Sequence, residues 1–462
     1  MKNIIKTTIL SAIIGLGFVS CSNDFVEREF YQDVNQAPLK SSQEMQAFVR
    51  GIYTSMRATS YYGADFMAYG EVRSDEMYST LSGGYYTNVY NYTQLSNDAY
   101  AVNTYNQIYT AIAKANVVIN TDLNTIEGST LDKGYATFAQ GQAYGLRAIA
   151  FFDAFRLYGQ KYSGSPDNLG IVLPLKYDPK ALMPRATIAE TEAQIDADFT
   201  KALQLMGSGT SYISGKTELS VNALKGMMAR FYLYKEDYAK VRSLTNDLVG
   251  KYSVIPAGLH QTSFQFLMNG AAPNSIFELA VGINASLSTG SYRQRLNPLG
   301  YANIVVSTAA YNAYASNDIR RSLITTSGGV RYLSNNNGTG KYTNTVGADN
   351  IKMLRYEEIL LNGVEAELAP GGSVTKALDY YNQIITNRGL TAVTSVNLAM
   401  LKTERMKELL GEGLRQWDLR RWGDTVPRPV ANTDIRLNAF PIPRGETDIA
   451  GSPVKSNPGY DN

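Results

Sequence analysis

Three acidic residues are spaced closely enough to suggest acid–base chemistry, because Glu71, Asp75 and Glu76 lie within one six-residue segment. Glycoside hydrolysis needs two carboxyl groups at a set separation, one acting as the acid and the other as the base or nucleophile. One sequence cannot place two of these acids on opposite sides of a cleft. A glycosidase is therefore the less favoured hypothesis.

Other catalytic arrangements fail on the residues themselves. His260 is the only histidine, so neither a histidine-based triad nor a multi-histidine metal site can be built. Gly215-Lys216-Thr217 looks like the end of a phosphate-binding loop, but Thr210 stands where the upstream glycine is required. The sequence contains no GxSxG elbow and no acidic calcium loop. We therefore predict neither a metal site nor a bound cofactor.

The only cysteine, Cys21, closes a segment with the pattern of a cleavable export signal. The apolar stretch from Ile9 to Val19 follows two lysines and is shorter than the roughly 20 apolar residues that span a bilayer. A cysteine at the cleavage point resembles a lipobox. We predict that residues 1–20 are a lipoprotein signal peptide, that Cys21 is acylated, and that residues 21–40 form a lipid-anchored linker. An ordinary secretory signal with an incidental thiol is the alternative.

The charge balance limits the partners. The full chain has 43 Lys and Arg against 41 Asp and Glu, and removal of residues 1–20 takes away two lysines and no acid. The processed chain is formally neutral, so it lacks the basic field that holds nucleic acid. With a single cysteine no disulfide can form within the chain, so its stability must come from packing.

Several segments have helical periodicity and are connected in pairs. Ser41 and Thr187 each begin a capping-box pattern, and apolar residues recur three and four positions apart in 101–119 and 353–368. Repeated helix pairs predict a mainly α fold, a superhelix of tetratricopeptide-like pairs with long irregular loops and a few short β-hairpins. A generic helical domain without repeat ancestry is the alternative.

Long irregular stretches interrupt the helices. Residues 60–100 are rich in Tyr, Gly, Ser and Asn, and residues 256–350 alternate short β-like runs with turns rich in Gly and Asn. Loops this long within a compact domain are usually functional or disordered. We predict one domain over 41–462, with an N-terminal half 41–255, an irregular insert 256–350 and a C-terminal helical part 351–462.

The densest run of charges extends from Glu404 to Gly423. On a continuous helix, Glu404, Glu408 and Glu412 would share one face. An active-site cluster and a partly buried salt-bridge helix are the two hypotheses, and the apolar periodicity favours the second. The predicted i,i+3 pairs are Arg405–Glu408, Glu412–Arg415 and Asp418–Arg421.

The same run contains the pattern ER…EL..EG.R..DLRRWG, which resembles the C-terminal signature of the SusD/RagB family of outer-membrane nutrient-binding lipoproteins. Further segments are similar to that family in the expected order: YNQIYTAIAKANVVI (105–119), GQAYGLRAIAFFDAFRLYG (141–159), LSVNALKGMMARFYLY (219–234), LRYEEILLNGVEAEL (354–368), YNQIITNRGL (381–390), FPIPRGE (440–446) and NPGY (457–460). The resemblance covers nearly all of the chain after the predicted signal.

The resemblance implies four tetratricopeptide-like units that carry an irregular, ligand-facing half. It also implies an outer-membrane lipoprotein on the cell exterior that captures oligosaccharide or polysaccharide and delivers it to a TonB-dependent transporter of the SusC type. Such a protein is not an enzyme. A peptide-binding subunit of the same kind of importer is the alternative.

Sugar recognition combines flat aromatic faces with polar groups that hydrogen-bond to hydroxyls. Because the family's binding aromatics tend to come from the N-terminal loop and from the irregular part after the middle helices, we select candidates by region. They are Tyr61, Tyr62, Asp65, Arg73, Asp75, Tyr85, Tyr86, Asn88, Tyr90, Tyr292, Arg293 and Tyr301. These loops contain no tryptophan, which leaves room for another glycan or a peptide. Acidic sugars are a further possible ligand, because their carboxylates can pair with Arg73, Arg293 and Arg295.

Overall fold

Helices form most of the structure, a computed structural model that describes residues 38–460 except 163, 166, 179, 208–211, 214, 336 and 430–433. Cys21, the predicted signal peptide and most of the predicted linker lie outside the described residues. The helices are α1 (Ser42–Met56), α2 (Asp65–Val72), α3 (Thr87–Asn91), α4 (Ala99–Ile119), α5 (Thr130–Tyr158), α6 (Ile188–Met206), α7 (Val221–Tyr234), α8 (Tyr238–Leu248), α9 (Tyr292–Leu296), α10 (Thr308–Asn312), α11 (Tyr356–Leu368), α12 (Val374–Thr386), α13 (Leu398–Leu409), α14 (Arg415–Trp422) and α15 (Arg444–Thr447).

The capping boxes predicted from the sequence are confirmed. The Ser41 hydroxyl accepts the Glu44 amide at 3.2 Å, and the Glu44 carboxylate accepts the Ser41 amide in return. Thr187 and Glu190 make the same reciprocal pair at the start of α6. Each box satisfies amide groups that a helix start leaves without partners, so local sequence fixes where α1 and α6 begin.

The helices pack as successive pairs. α4 packs on α5 and α5 on α6, while α1 lies against both α4 and α5. Further along the chain α7 pairs with α8, and α11 packs against both α12 and α8. The predicted mainly α superhelical fold is confirmed.

Short antiparallel strand pairs supplement the helices. The strands are β1 (Met77–Ser79), β2 (Leu169–Val172), β3 (Arg185–Thr187), β4 (Ser275–Leu279), β5 (Ile304–Val306), β6 (Thr325–Ser327), β7 (Val330–Tyr332) and β8 (Ile351–Arg355), paired β1–β5, β2–β3, β4–β8 and β6–β7. The β6–β7 pair is a tight hairpin of the predicted kind. By contrast, β1–β5 and β4–β8 join distant segments, which local sequence patterns do not reveal.

The charged run is not the single helix that its periodicity predicts. α13 ends at Leu409 and α14 begins at Arg415, because Gly411 (φ 77°) and Gly413 (φ 75°) adopt the left-handed conformation between them. The predicted pair Asp418–Arg421 is present at 2.8 Å. The other two predicted pairs are wrong, because Arg405 pairs with Asp418 of α14 and Arg415 pairs with Asp75.

Glu408 lies at the centre of a buried ion-pair cluster. Its carboxylate accepts hydrogen bonds from Arg388 and Arg320 at 2.9 Å and from Arg355 at 3.1 Å. Burial alone would raise the pKa of Glu408, but the charge of Arg388, together with its other basic partners, holds that pKa well below its usual range. The lone histidine, His260, is buried 3.9 Å from the same carboxylate. The arrangement agrees with a salt-bridge role for the charged run.

Residues Leu39–Asn462 form one compact unit. The boundaries predicted within this unit, at 255/256 and 350/351, stay predictions. No helix in the described part of the chain is long and apolar enough to cross a membrane.

Candidate functional site

Two distant loop regions meet at the β1–β5 pair. Met77 is paired with Val306 and Ser79 with Ile304. Beyond the strands, Thr80 continues the junction, its amide donating to the Asn303 carbonyl at 2.8 Å and its hydroxyl to the Ala302 carbonyl at 2.7 Å. The Tyr-rich loop of the N-terminal half and the irregular insert are therefore neighbours, as a shared binding site would require.

Tyr85 and Tyr301, one from each region, form an aromatic pair at this junction. Their ring centroids are 4.5 Å apart and both side chains are half-buried. The Arg295 guanidinium lies over both rings, 4.5 Å from the Tyr85 centroid and 4.8 Å from that of Tyr301. Tyrosine faces held in this way offer a stacking surface to a flat ligand.

A second aromatic pair lies on the same strand junction. Tyr78 of β1 points outward, 37% exposed, with its ring 6.3 Å from that of Tyr90. Large apolar side chains are also exposed on these loops, with Leu81 at 46% and Leu299 at 76%. Sequence reasoning missed Tyr78, although side-chain alternation along Met77–Ser79 was the signal that could have found it.

The loops around these pairs adopt an uncommon backbone. Five of the six non-glycine residues with positive φ in the described chain lie between 81 and 92 or between 288 and 302. They are Leu81, Tyr86, Tyr92, Ser288 and Ala302. Non-glycine residues in this region of conformational space are held there by their surroundings and concentrate at binding sites.

Several of the residues selected by region are buried. The hydroxyls of Tyr61 and Tyr62 both donate to the carboxylate of Asp153, from Tyr62 at 2.7 Å. The Tyr86 hydroxyl donates to Asp65 at 2.7 Å, and the Tyr86 ring is stacked on Tyr100. These four candidates, with side chains no more than 7% exposed, hold the loop in place.

Among the other candidates, Arg73 and Asn88 have hydrogen-bond partners within the fold, and Tyr292 and Arg293 are buried. Arg73 is fully buried and donates to the carbonyls of Val89 and Leu437 and to Gln94. Tyr292 and Arg293 of α9 are no more than 7% exposed. Asn88 is exposed and donates to Asp98 at 3.0 Å. Of the twelve candidates, the accessible tyrosines are Tyr85, Tyr90 and Tyr301.

The acidic residues considered for catalysis do not face an open cleft. Glu71 and Glu76 are buried, with exposures of 0% and 1%, and Glu71 accepts the Gly413 amide. Burial raises the pKa of Glu71, and burial plus the neighbouring Glu71 charge raises the pKa of Glu76 well above its usual range. Asp75 forms a two-point ion pair with Arg415 at 2.7 and 2.8 Å. Within the described residues, no group of three or more His, Cys, Asp or Glu side chains could hold a metal ion.

Successive helix pairs with long loops that carry accessible aromatic side chains define a class of helical, superhelical proteins. Two family models match the chain, one described as "Starch-binding associating with outer membrane" over residues 24–233 and one as "SusD family" over residues 288–452. The chain belongs to the SusD/RagB family.

Individual relatives agree over nearly the whole length. The chain is 22% identical to SusD-like protein P38 of Formosa agariphila, and the match covers 92% of each. A SusD superfamily protein from Bacteroides vulgatus is 25% identical, with a TM-score of 0.81 over 92% of this chain and all of that one. A structure described as a laminarin-binding SusD-like protein is 18% identical, with a TM-score of 0.72 over 91% of this chain and all of that one.

Proposed function

We propose that this protein captures oligosaccharide or polysaccharide at the outer face of the outer membrane and delivers it, without catalysis, to a SusC-like TonB-dependent transporter. Cys21 would carry the lipid anchor. Membership of a family described as starch-binding and associated with the outer membrane supports this reading, as does a relative described as laminarin-binding.

The Tyr85–Tyr301 pair is the observation that carries the proposal. It joins the two loop regions, keeps part of each ring accessible and is contacted by the Arg295 guanidinium. A sugar presents an apolar face that stacks on such rings, while nearby hydroxyl and amide groups can bind its hydroxyls. Tyr78, Tyr90 and Asn88 extend the proposed site along β1 and α3.

The same proposal states that the protein binds its ligand without catalysing a reaction. A glycosidase would require two accessible carboxyl groups, one on each side of the bound sugar. Glu71 and Glu76 are buried next to each other and Asp75 is ion-paired with Arg415. Release of sugar from a polysaccharide by the wild-type protein, lost in Glu71→Gln, would contradict the proposal.

Calorimetric titration with a panel of glycans and peptides tests the ligand. We expect one glycan class to bind, and we expect Tyr85→Ala and Tyr301→Ala each to weaken that binding by about tenfold, the loss of roughly 1.4 kcal/mol of stacking. Tyr177→Ala is the matched control, since Tyr177 is 45% exposed and lies on a different loop. Binding of peptides but of no glycan would instead identify a peptide importer subunit.

Anchoring and partnership need separate measurements. Cys21→Ala should release the protein from membranes, and continued membrane association of that variant would contradict acylation at Cys21. Co-purification of the membrane-extracted wild-type protein should recover a TonB-dependent transporter. Recovery of the protein alone under mild detergent would count against the delivery role.

A further inference from the structure

Arg295 is a buried guanidinium, and the fold leaves two of its nitrogen donors unused. Its side chain lies in α9 with only 6% exposure, and its Nε and Nη1 atoms have no hydrogen-bond partner. Arg388 and Arg355 differ from it, since each binds two or more carboxylates. Among the described residues no carboxylate lies within ion-pair distance of Arg295. An unused buried donor is costly, so its presence at a site points to a ligand.

The neighbours of Arg295 are tyrosines and the charge of Asp65, which acts on the guanidinium without a direct ion pair. It contacts the rings of Tyr85, Tyr301 and Tyr86, the last at 5.9 Å. The neighbouring carboxyl group, Asp65, accepts its hydrogen bond from the Tyr86 hydroxyl and not from Arg295. Tyrosine rings attract a cation, but they cannot neutralise it as a carboxylate does.

The two loop segments that build the site are free of negative charge. Residues 77–97 contain no charged side chain of either sign. Residues 279–317 contain Arg293 and Arg295 and no Asp, Glu or Lys. Acids are frequent elsewhere in the chain, with 41 Asp and Glu among 462 residues, whereas the only charges that these two segments bring to the junction are positive.

We propose that the ligand is an acidic glycan and that Arg295 binds the carboxylate of a uronate unit while Tyr85 and Tyr301 stack on the sugar. The inference rests on the proposed glycan-binding function and narrows its substrate class. The guanidinium fork matches a carboxylate with two parallel hydrogen bonds. Access requires rotation of the half-buried Tyr85 or Tyr301 ring, a motion that is fast for partly exposed side chains.

Matched pairs of ligands test the assignment without any mutation. The processed protein, purified from cells, is titrated with oligogalacturonate, oligomannuronate and a glucuronate-containing oligosaccharide, each beside its methyl ester. We expect one acid chain to bind and its ester, which lacks the charge and carries an added methyl group, to bind about ten- to a hundredfold more weakly, the loss of a charge-assisted hydrogen-bonded pair. Added salt should weaken binding of the acid chain more than binding of the ester.

Variants locate the effect at Arg295. Arg295→Gln should reduce affinity for the acid chain to that of the ester, and Arg295→Lys should fall between because it keeps the charge but not the fork. Arg444→Gln, at an exposed arginine of α15, is the control and should change nothing. Circular dichroism and the melting temperature establish that each variant is folded.

The outcomes separate the two proposals. Equal binding of acid and ester, or binding of neutral glycans alone, overturns the acidic-glycan inference and leaves the proposed function standing. Binding of sulfated but not uronate chains overturns the carboxylate assignment. Binding of no glycan at all overturns the proposed function together with the inference.

Discussion

The backbone amide of Gly413 donates a hydrogen bond to the carboxylate of Glu71, so the C-terminal charged segment is fastened to the helix that precedes the aromatic site. The two segments approach closely because each has a glycine at the contact, Gly70 in one and Gly413 in the other. A Cβ on Gly413 would lie 2.7 Å from the Cα of Met67, and a Cβ on Gly70 would lie 2.2 Å from the Gly413 carbonyl oxygen. The orientation of β1 and of the loop with Tyr85 therefore depends on this junction.

Gly413→Ala should destabilise the protein strongly. The substitution combines a left-handed backbone at φ 75° with a clash against backbone atoms of Met67. Gly423→Ala is the matched control, because Gly423 has φ 68° and no atom near the added Cβ. We expect the control to lose about 1–2 kcal/mol and Gly413→Ala clearly more, measured as free energies of unfolding in urea. Equal losses of unfolding free energy in the two variants would show that the close backbone approach at Gly413 adds nothing to stability.

Glu408→Gln should cost about 3–5 kcal/mol of stability at neutral pH, because it leaves buried arginines without their shared counter-charge. The charge of Arg388 and its other basic partners hold the pKa of buried Glu408 well below its ordinary value of 4.5, so the stabilising contribution of Glu408 is present above that pH and lost as pH falls through the depressed pKa. The difference between variant and wild type should therefore shrink in acid. Glu127→Gln, at an exposed carboxylate, should change stability by less than about 0.5 kcal/mol.

Asp65→Asn should stabilise the protein at neutral pH. Burial, opposed by the Tyr86 hydrogen bond, raises the pKa of Asp65 from 3.8 to about 6. A raised pKa means that the stabilising contribution is complete below about pH 3.8 and is lost as pH rises through about 6. At pH 7.5 the variant should gain up to about 3 kcal/mol, at about 1.4 kcal/mol per pKa unit.

The gain of Asp65→Asn should vanish near pH 3.5, which urea unfolding at both pH values would show. Asp379→Asn serves as the control, since Asp379 is exposed and its substitution should change stability by less than about 0.5 kcal/mol. A gain of equal size at both pH values would contradict the titration of Asp65 as its cause.

Tyr62→Phe should separate structural from ligand-binding tyrosines. The Tyr62 hydroxyl donates to the buried Asp153 carboxylate, so its loss should cost about 1.5–3 kcal/mol of stability. Glycan affinity should stay unchanged, because Tyr62 is only 6% exposed. Tyr85→Phe should give the converse pattern. Its free energy of unfolding should change little, and any larger effect should be on glycan affinity. An unchanged melting temperature in Tyr62→Phe would contradict a structural role for the Tyr62 hydroxyl.

The candidate site could be predicted only as a pair of regions. The tyrosines of the N-terminal loop have similar neighbours in sequence, yet Tyr61 is buried against Asp153 while Tyr85 faces Tyr301. Exposure of a tyrosine depends on what packs over it, and that is set by strand pairing between segments more than two hundred residues apart. Selection by region therefore found Tyr85, Tyr90 and Tyr301 together with residues that hold the loop.

Features that depend on residues close together along the chain can be read from the sequence. Capping side chains set the starts of α1 and α6, apolar spacing set the helices, and ordered motifs along the chain indicated the family. Tertiary structure alone decided where the charged run breaks, which arginines share Glu408, and which donors at Arg295 remain unused. The physical reason is that helix capping and periodicity are local interactions, whereas burial and charge pairing are properties of surfaces that meet only after folding.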